Sequence, residues 1–390
     1  MVRLIAVLAL AACSTDPVID DGTPLPACQD CGPGALIAGR FVTSELGPQP
    51  VIANRQGTVV RVLDARVAWL GSAFTTEATF AISDDLVNVA LDDAGGTAIA
   101  TGTYVDVEEM QDYTWANAAV IGLGPDHGQR WRTELGNVLG VRLAASSSII
   151  AVITDAKQIN GVTISTSRIG SSLVALSASD GSVLWHISQP FVGAMAFAPD
   201  GTLIIGATFT DTLDLGGTTT PLTTTGIDGV VAALDPMTGA GKWALRLDAM
   251  GSMTPELGGV AVGPGGEVAA SWTTDYDAVP ASVMLIDATG VVKWTQPATR
   301  GEVYAPIVTD GEHVLTSGGG FAELSASGMD WQRSIAGPGQ HAGQVLAFAG
   351  GRLLGSIYSA PTGIGDPPVT TTVGDVTYDG DGIAVVELAH

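Results

Sequence analysis

The chain has 390 residues, 14% of them charged, and a formal net charge of −24 with only 16 Lys+Arg. A surface this acidic repels phosphate backbones, which excludes nucleic acid as a partner, and it offers no electrostatic attraction to anionic lipid. The 51 glycines, the many short β-branched runs bounded by Gly, Asp and Pro, and the scarcity of 3.6-residue apolar periods predict an all-β protein of many short strands.

Taken in order, the chain starts with Arg3, a short apolar run from Leu4 to Ala12, and then Leu10-Ala11-Ala12-Cys13-Ser14. A charged start, an apolar stretch and small residues are the parts of a secretory signal. The ending resembles the lipobox of bacterial lipoproteins. That resemblance implies removal of residues 1–12, lipidation of Cys13 as the first mature residue and, with Ser14 following, anchoring in the outer membrane. Several acyl chains give stable anchoring where one is marginal. Residues 13–34 are rich in Pro, Gly and Asp and read as a flexible tether. Within it, Cys28 and Cys31 form a leftover even pair, which in an exported protein predicts a local disulfide. Gly32-Pro33-Gly34 opposes the helix that a redox pair needs, and no second Cys pair exists to complete a zinc site. No other segment is long and apolar enough to span a bilayer.

From residue 35 to 390 the chain repeats itself. An apolar strand, a Gly-containing turn and a Trp recur. The copies are Val59–Leu63 with Trp69, Ala119–Leu123 with Trp131, Leu173–Ser177 with Trp185, Val230–Leu234 with Trp243, Val283–Asp287 with Trp294 and Phe321–Ser325 with Trp331. A seventh copy, Ile383–Leu388, ends the chain without its Trp. Between these hairpins lie strand–turn–strand units, such as Ala194–Phe197, Pro199-Asp200-Gly201 and Leu203–Ile205. Asp-Gly and Gly-Gly turns of this kind are hairpin signals. Each repeat is thus four antiparallel strands, the size of a propeller blade. The count gives seven blades, with six or eight left open at the seam. Residues 35–43 are read as a strand of the partial first blade, and an N-terminal segment can complete the last blade to close the ring. The six tryptophans are assigned to the outermost strands as elements that dock one blade on the next.

The unit Leu234-Asp235-Pro-Met-Thr238-Gly239-Ala-Gly-Lys-Trp243 resembles the tryptophan-docking repeat of pyrroloquinoline-quinone (PQQ)-like β-propellers. Thr212-Leu-Asp-Leu-Gly-Gly217 followed by Asp228-Gly-Val-Val-Ala232 resembles a related bacterial surface repeat. The resemblance implies fold more than function, since propellers host many activities. Quinoprotein dehydrogenases of this fold use adjacent cysteines, which this chain lacks, so no cofactor is expected. Non-catalytic lipoproteins with the same repeat, including an outer-membrane assembly scaffold, are closer in size.

Other constellations are thin. The five histidines, His127, His186, His313, His341 and His390, show no metal-ligand spacing and read as structural or solvated. The loops between second and third strands are long and acidic, holding among others Asp106, Asp155, Asp211, Asp214 and Asp228. Loops held by a rigid ring are where binding usually lives. This face is therefore assigned to a protein or polysaccharide partner or to a cation, against the competing reading of solvated acidic loops. Its most calcium-like piece is Tyr378-Asp379-Gly-Asp381-Gly382, with Asp375 nearby, although the EF-hand Glu is missing. The sequence thus points to a monomeric, non-catalytic binding scaffold in the cell envelope. The alternative is a hydrolase, lyase or quinone-type oxidoreductase with its site at the central channel, where perturbed carboxylates or histidines should converge.

Overall fold

The computed structural model describes residues 23–24, 36–43, 51–63, 66–71, 74–107, 112–164, 171–188, 191–248, 256–273, 281–298, 306–317, 320–336, 340–349, 352–360, 370–373, 376–379 and 382–389. Every regular element among them is a strand. They form seven four-stranded antiparallel blades, each built in chain order except the last. Blade one is Val51–Ala53, Val59–Leu63, Arg66–Leu70 and Thr76–Ala81. Blade four, the most regular, is Phe191–Phe197, Leu203–Leu213, Leu222–Leu234 and Gly241–Leu247.

The strands follow from the sequence pattern. In Leu222–Leu234 the last seven residues are buried, because a blade is covered on both faces by its neighbours. One blade cannot bury both faces alone, and the ring resolves this. Seven apolar clusters occupy the seven junctions, from Val60, Trp69 and Ile99 between blades one and two to Val59, Ala347 and Val385 between blades seven and one. The turns are set by side chains. Asp235 Oδ1 accepts the backbone NH of Met237 at 3.0 Å and of Thr238 at 2.9 Å, and Gly239 follows at φ +73°. Only glycine enters that left-handed conformation without a steric cost.

Blade seven closes the ring. Its first three strands are Gln340–Ala349, Arg352–Ala360 and Gly382–Ala389, and its fourth is Leu36–Thr43 from the other end of the chain. Phe41 stands opposite Ala384 and Val42 opposite Ile383. Closure by an N-terminal segment is therefore as expected, but the assignment of residues 35–43 to blade one is not. Blade one makes its own four strands, because Thr76–Ala81 pairs with the strand that carries Trp69. Thr23–Pro24, inside the predicted tether, pairs with Arg40 and Phe41 on the open edge of blade seven.

A recurrent irregularity shapes the outer strands. In blades two to six the residue just before the Trp is bulged out of register with the third strand. These residues are Arg130, Leu184, Lys242, Lys293 and Asp330. A bulge turns one side chain away from the alternation of the ladder.

Candidate functional site

The tryptophans stand where one blade meets the next. Trp131 donates its indole NH to the carbonyl of Ala178 at 2.8 Å, Trp185 to Pro236 at 2.7 Å and Trp243 to Ala288 at 3.1 Å. Each acceptor lies in the turn between third and fourth strands of the following blade. The ring also covers the left-handed glycine of that turn. A Cβ at Gly181 would come within 2.6 Å of the Trp131 ring, at Gly239 within 2.9 Å of Trp185, and at Gly290 within 2.8 Å of Trp243. Trp294 donates instead to Glu312 in a first-to-second-strand turn of blade six at 3.3 Å, and Trp331 to the Glu323 carboxylate of its own blade at 2.8 Å. Trp69 departs from the expected strand. It lies on the third strand of blade one, yet its ring still meets the blade-two turn, stacking on His127 at 4.1 Å. His127 holds the left-handed position (φ 61°) that glycine holds elsewhere. The pairing of Trp131, Trp185 and Trp243 with the neighbour's turn glycine was not read from the sequence, although both halves of the motif were.

The central channel is a cavity of about 740 Å³ lined by the first strands of all seven blades. Most of the side chains along its wall are apolar, with Val89, Leu143, Met195, Val260, Ile307 and Leu346 among the lining residues. The titratable groups among the described lining residues are Arg55 and Asp93, and they pair with each other, with Nε to Oδ1 at 3.3 Å. Beside them Asp92 is buried. Desolvation pushes its carboxyl up from the usual range, against the pull of hydrogen bonds from the Gly96 and Ala94 amides. The described wall does not bring together the carboxylates or histidines that channel catalysis would need.

The face carrying the second-to-third-strand loops is more varied. Asp228, read as part of an acidic binding loop, is instead 4% exposed and accepts from Arg246 Nη2 at 2.7 Å. It sits inside a long ribbon, opposite Phe209, rather than in a loop. Asp155 accepts the Leu139 amide at 2.8 Å, and Asp214 accepts the Gly216 amide at 2.9 Å. Part of the acidic content thus caps backbone. On the same face blades two to four expose Tyr104, Val105, Leu139, Phe191 and Ile227. Tyr104 packs edge-on against Trp115 at 5.6 Å. Ser83, Asp84 and Asp85 precede this ribbon, and Asp85 Oδ2 accepts the Tyr104 amide at 3.2 Å.

Cys13, Cys28, Cys31, Asp375 and Asp381 lie outside the described residues, as do Glu108 and Asp277. Asp379 ends the strand Val376–Asp379, which pairs with Thr370–Val373 and so extends blade six through Val373 and Ile335.

At the opposite corner of blade six a polar group was missed by the sequence reading. Asp310 Oδ2 meets His313 Nδ1 at 2.8 Å, while Oδ1 accepts the amides of Glu312 and His313. Burial works against the Asp310 charge, but these hydrogen bonds outweigh it and hold the carboxyl below its ordinary range. Burial likewise works against a charged imidazole, yet Asp310, Glu323 and Asp330 outweigh it and raise His313 above its ordinary value.

A closed ring of seven four-stranded blades, with most of the repeat tryptophans seated on turns of the neighbouring blade, defines a β-propeller. Residues 227–354, from the third strand of blade four into the second of blade seven, match the family model described as outer membrane protein assembly factor BamB. The chain is similar to the crystal structure of BamB from Moraxella catarrhalis, with a TM-score of 0.50 and 15% identity over 91% of this chain and 99% of that one. It is equally similar to a chain of the mitotic checkpoint complex, with a TM-score of 0.51 and 12% identity over 100% and 99%. At these identities the likeness is one of fold. No curated protein matches the chain by sequence.

Proposed function

We propose that the protein is a non-catalytic binding module of the bacterial cell envelope, lipid-anchored through Cys13, whose propeller holds a protein partner on the loop face of blades two to four. The observation that carries this reading is the set of exposed apolar side chains on that face, with Leu139 58% exposed and Phe191 39% exposed, fixed to a rigid ring. Apolar side chains among acidic ones are the usual make-up of a protein-docking patch. The match of residues 227–354 to an outer-membrane assembly factor supports the same class of role and an envelope location. In this reading the Cys28–Cys31 disulfide sits in the tether, and calcium near Asp375, Asp379 and Asp381 would order the far loops without entering any chemistry.

The test is affinity capture from native membranes, followed by mass spectrometry of partners and of the Cys13 peptide. Leu139→Asp combined with Phe191→Asp should lose the captured protein. Val291→Asp, at a 62% exposed residue on the opposite face, should keep it. Capture that survives the first pair, or a Cys13 peptide without lipid, overturns the corresponding half of the proposal.

A further inference from the structure

We propose that His313, Glu323 and Asp330 form a binding site for a divalent transition-metal cation of the zinc type, on the turn side of blade six. One ring nitrogen of His313 and one carboxylate oxygen each of Glu323 and Asp330 lie within 4.8 Å of one another. Zinc holds nitrogen and carboxylate oxygen at about 2.0–2.2 Å, which requires donors roughly 3.3–3.5 Å apart. Rotation of the exposed Asp330 side chain closes the remaining gap.

Three features separate this group from an ordinary acidic cluster. The first is orientation. Asp310 engages Nδ1 of His313 at 2.8 Å, which leaves Nε2 as the nitrogen for a metal. A carboxylate behind a ligating histidine is the usual support of such a ligand. The second is burial. Glu323 is only 6% exposed, and Trp331 donates its indole NH to Oε2 at 2.8 Å, so a second carboxylate is held by a partner at its back. A buried charge of this kind is normally paired or bound to a metal. The third is the register. Asp330 is the bulged residue of its blade, in the place where blades two, four and five carry Arg130, Lys242 and Lys293 and blade three Leu184. Lys242 reaches Thr202 in a turn of its own blade at 2.6 Å, and Lys293 of blade five reaches the Gly311 carbonyl in the blade-six turn at 2.8 Å. Blade six replaces the cation by an anion and adds a histidine. Imidazole with two carboxylates suits zinc, whereas calcium asks for six to eight oxygens. Three protein ligands leave a further position to water or to a donor from a partner.

The probe is zinc chloride, titrated calorimetrically into the chelator-treated full chain. The expected result is one saturable site whose affinity falls at least about 10-fold in His313→Gln and in Asp330→Asn. Asp330 is exposed, so its variant tests the site without endangering the core. Asp330→Lys should remove zinc binding and leave the circular dichroism spectrum unchanged, because it recreates the bulge residue of blades four and five. Absence of a saturable heat overturns the proposal. So does zinc binding that survives both His313→Gln and Asp330→Asn, or displacement of zinc by a tenfold excess of calcium.

Discussion

Replacing Gly239 by Ala tests whether a tryptophan seated on its neighbour's turn holds each junction. Two penalties add at this residue. An L side chain at φ +73° costs about 1–2 kcal/mol. The new Cβ would also stand 2.9 Å from the Trp185 ring, which must move and weaken its 2.7 Å bond to Pro236, for about 1 kcal/mol more. The expected loss is therefore about 2–3 kcal/mol. Gly201→Ala is the reference, since Gly201 has φ +85° but nothing within 4 Å of a new Cβ. It should cost the conformational part alone, about 1–2 kcal/mol. Both substitutions are made in the natural chain and in Trp185→Ala, and unfolding is followed in denaturant by circular dichroism. The excess cost of Gly239→Ala should vanish once the ring is gone, as expected of residues in direct contact. Equal costs at Gly239 and Gly201, or an excess that persists without Trp185, would refute the docking argument.

Two other outcomes follow from the ring and from the polar corner of blade six. Deleting residues 1–43 removes the fourth strand of blade seven and exposes the edge of Gly382–Ala389; the truncated chain should lose its single cooperative transition and become sensitive to protease near residues 340–389, measured by limited proteolysis. In chelator-treated protein, His313 has a raised value against an ordinary 6.5, so its contribution to stability is full below about pH 6.5 and lost as pH rises through the raised folded value. Asp310 is lowered from 3.8, so its contribution is present above about pH 4 and lost as pH falls through the folded value. The stability difference between the natural chain and His313→Gln should accordingly be largest between those limits and shrink towards alkaline pH, and NMR titration of the His313 ring reads the raised value directly.

Much of the fold was legible because its signals are local. Asp235, Thr238 and Gly239 specify a turn by hydrogen bonds to their own backbone, and Trp243 marks the strand that follows. The seam was harder for the converse reason. Leu36–Thr43 carries the same apolar alternation whichever blade it joins, and only pairing with the distant Gly382–Ala389 decides. Trp69 misled for a related cause. The strand before it looks like a third strand, and the true fourth, Thr76–Ala81, has no Trp and alternates between half-buried and exposed residues. At the candidate sites, sequence marked Asp228 as acidic but not its partner Arg246, which arrives on the adjacent strand. The His313 group escaped for the same reason. Its members sit on three different strands or turns, and a bulge, invisible in composition, aims Asp330 toward the others.

The closure of blade seven fixes an order of events during synthesis. The strand Leu36–Thr43 leaves the ribosome more than 300 residues before its partner Gly382–Ala389. Six blades can assemble as they emerge, but the ring stays an open arc until residues 382–389 have emerged. A product cut short before Gly382–Ala389 therefore exposes an unpaired edge and an uncovered apolar face, which quality-control proteases can recognise. The seam makes synthesis through Gly382–Ala389 a condition of survival.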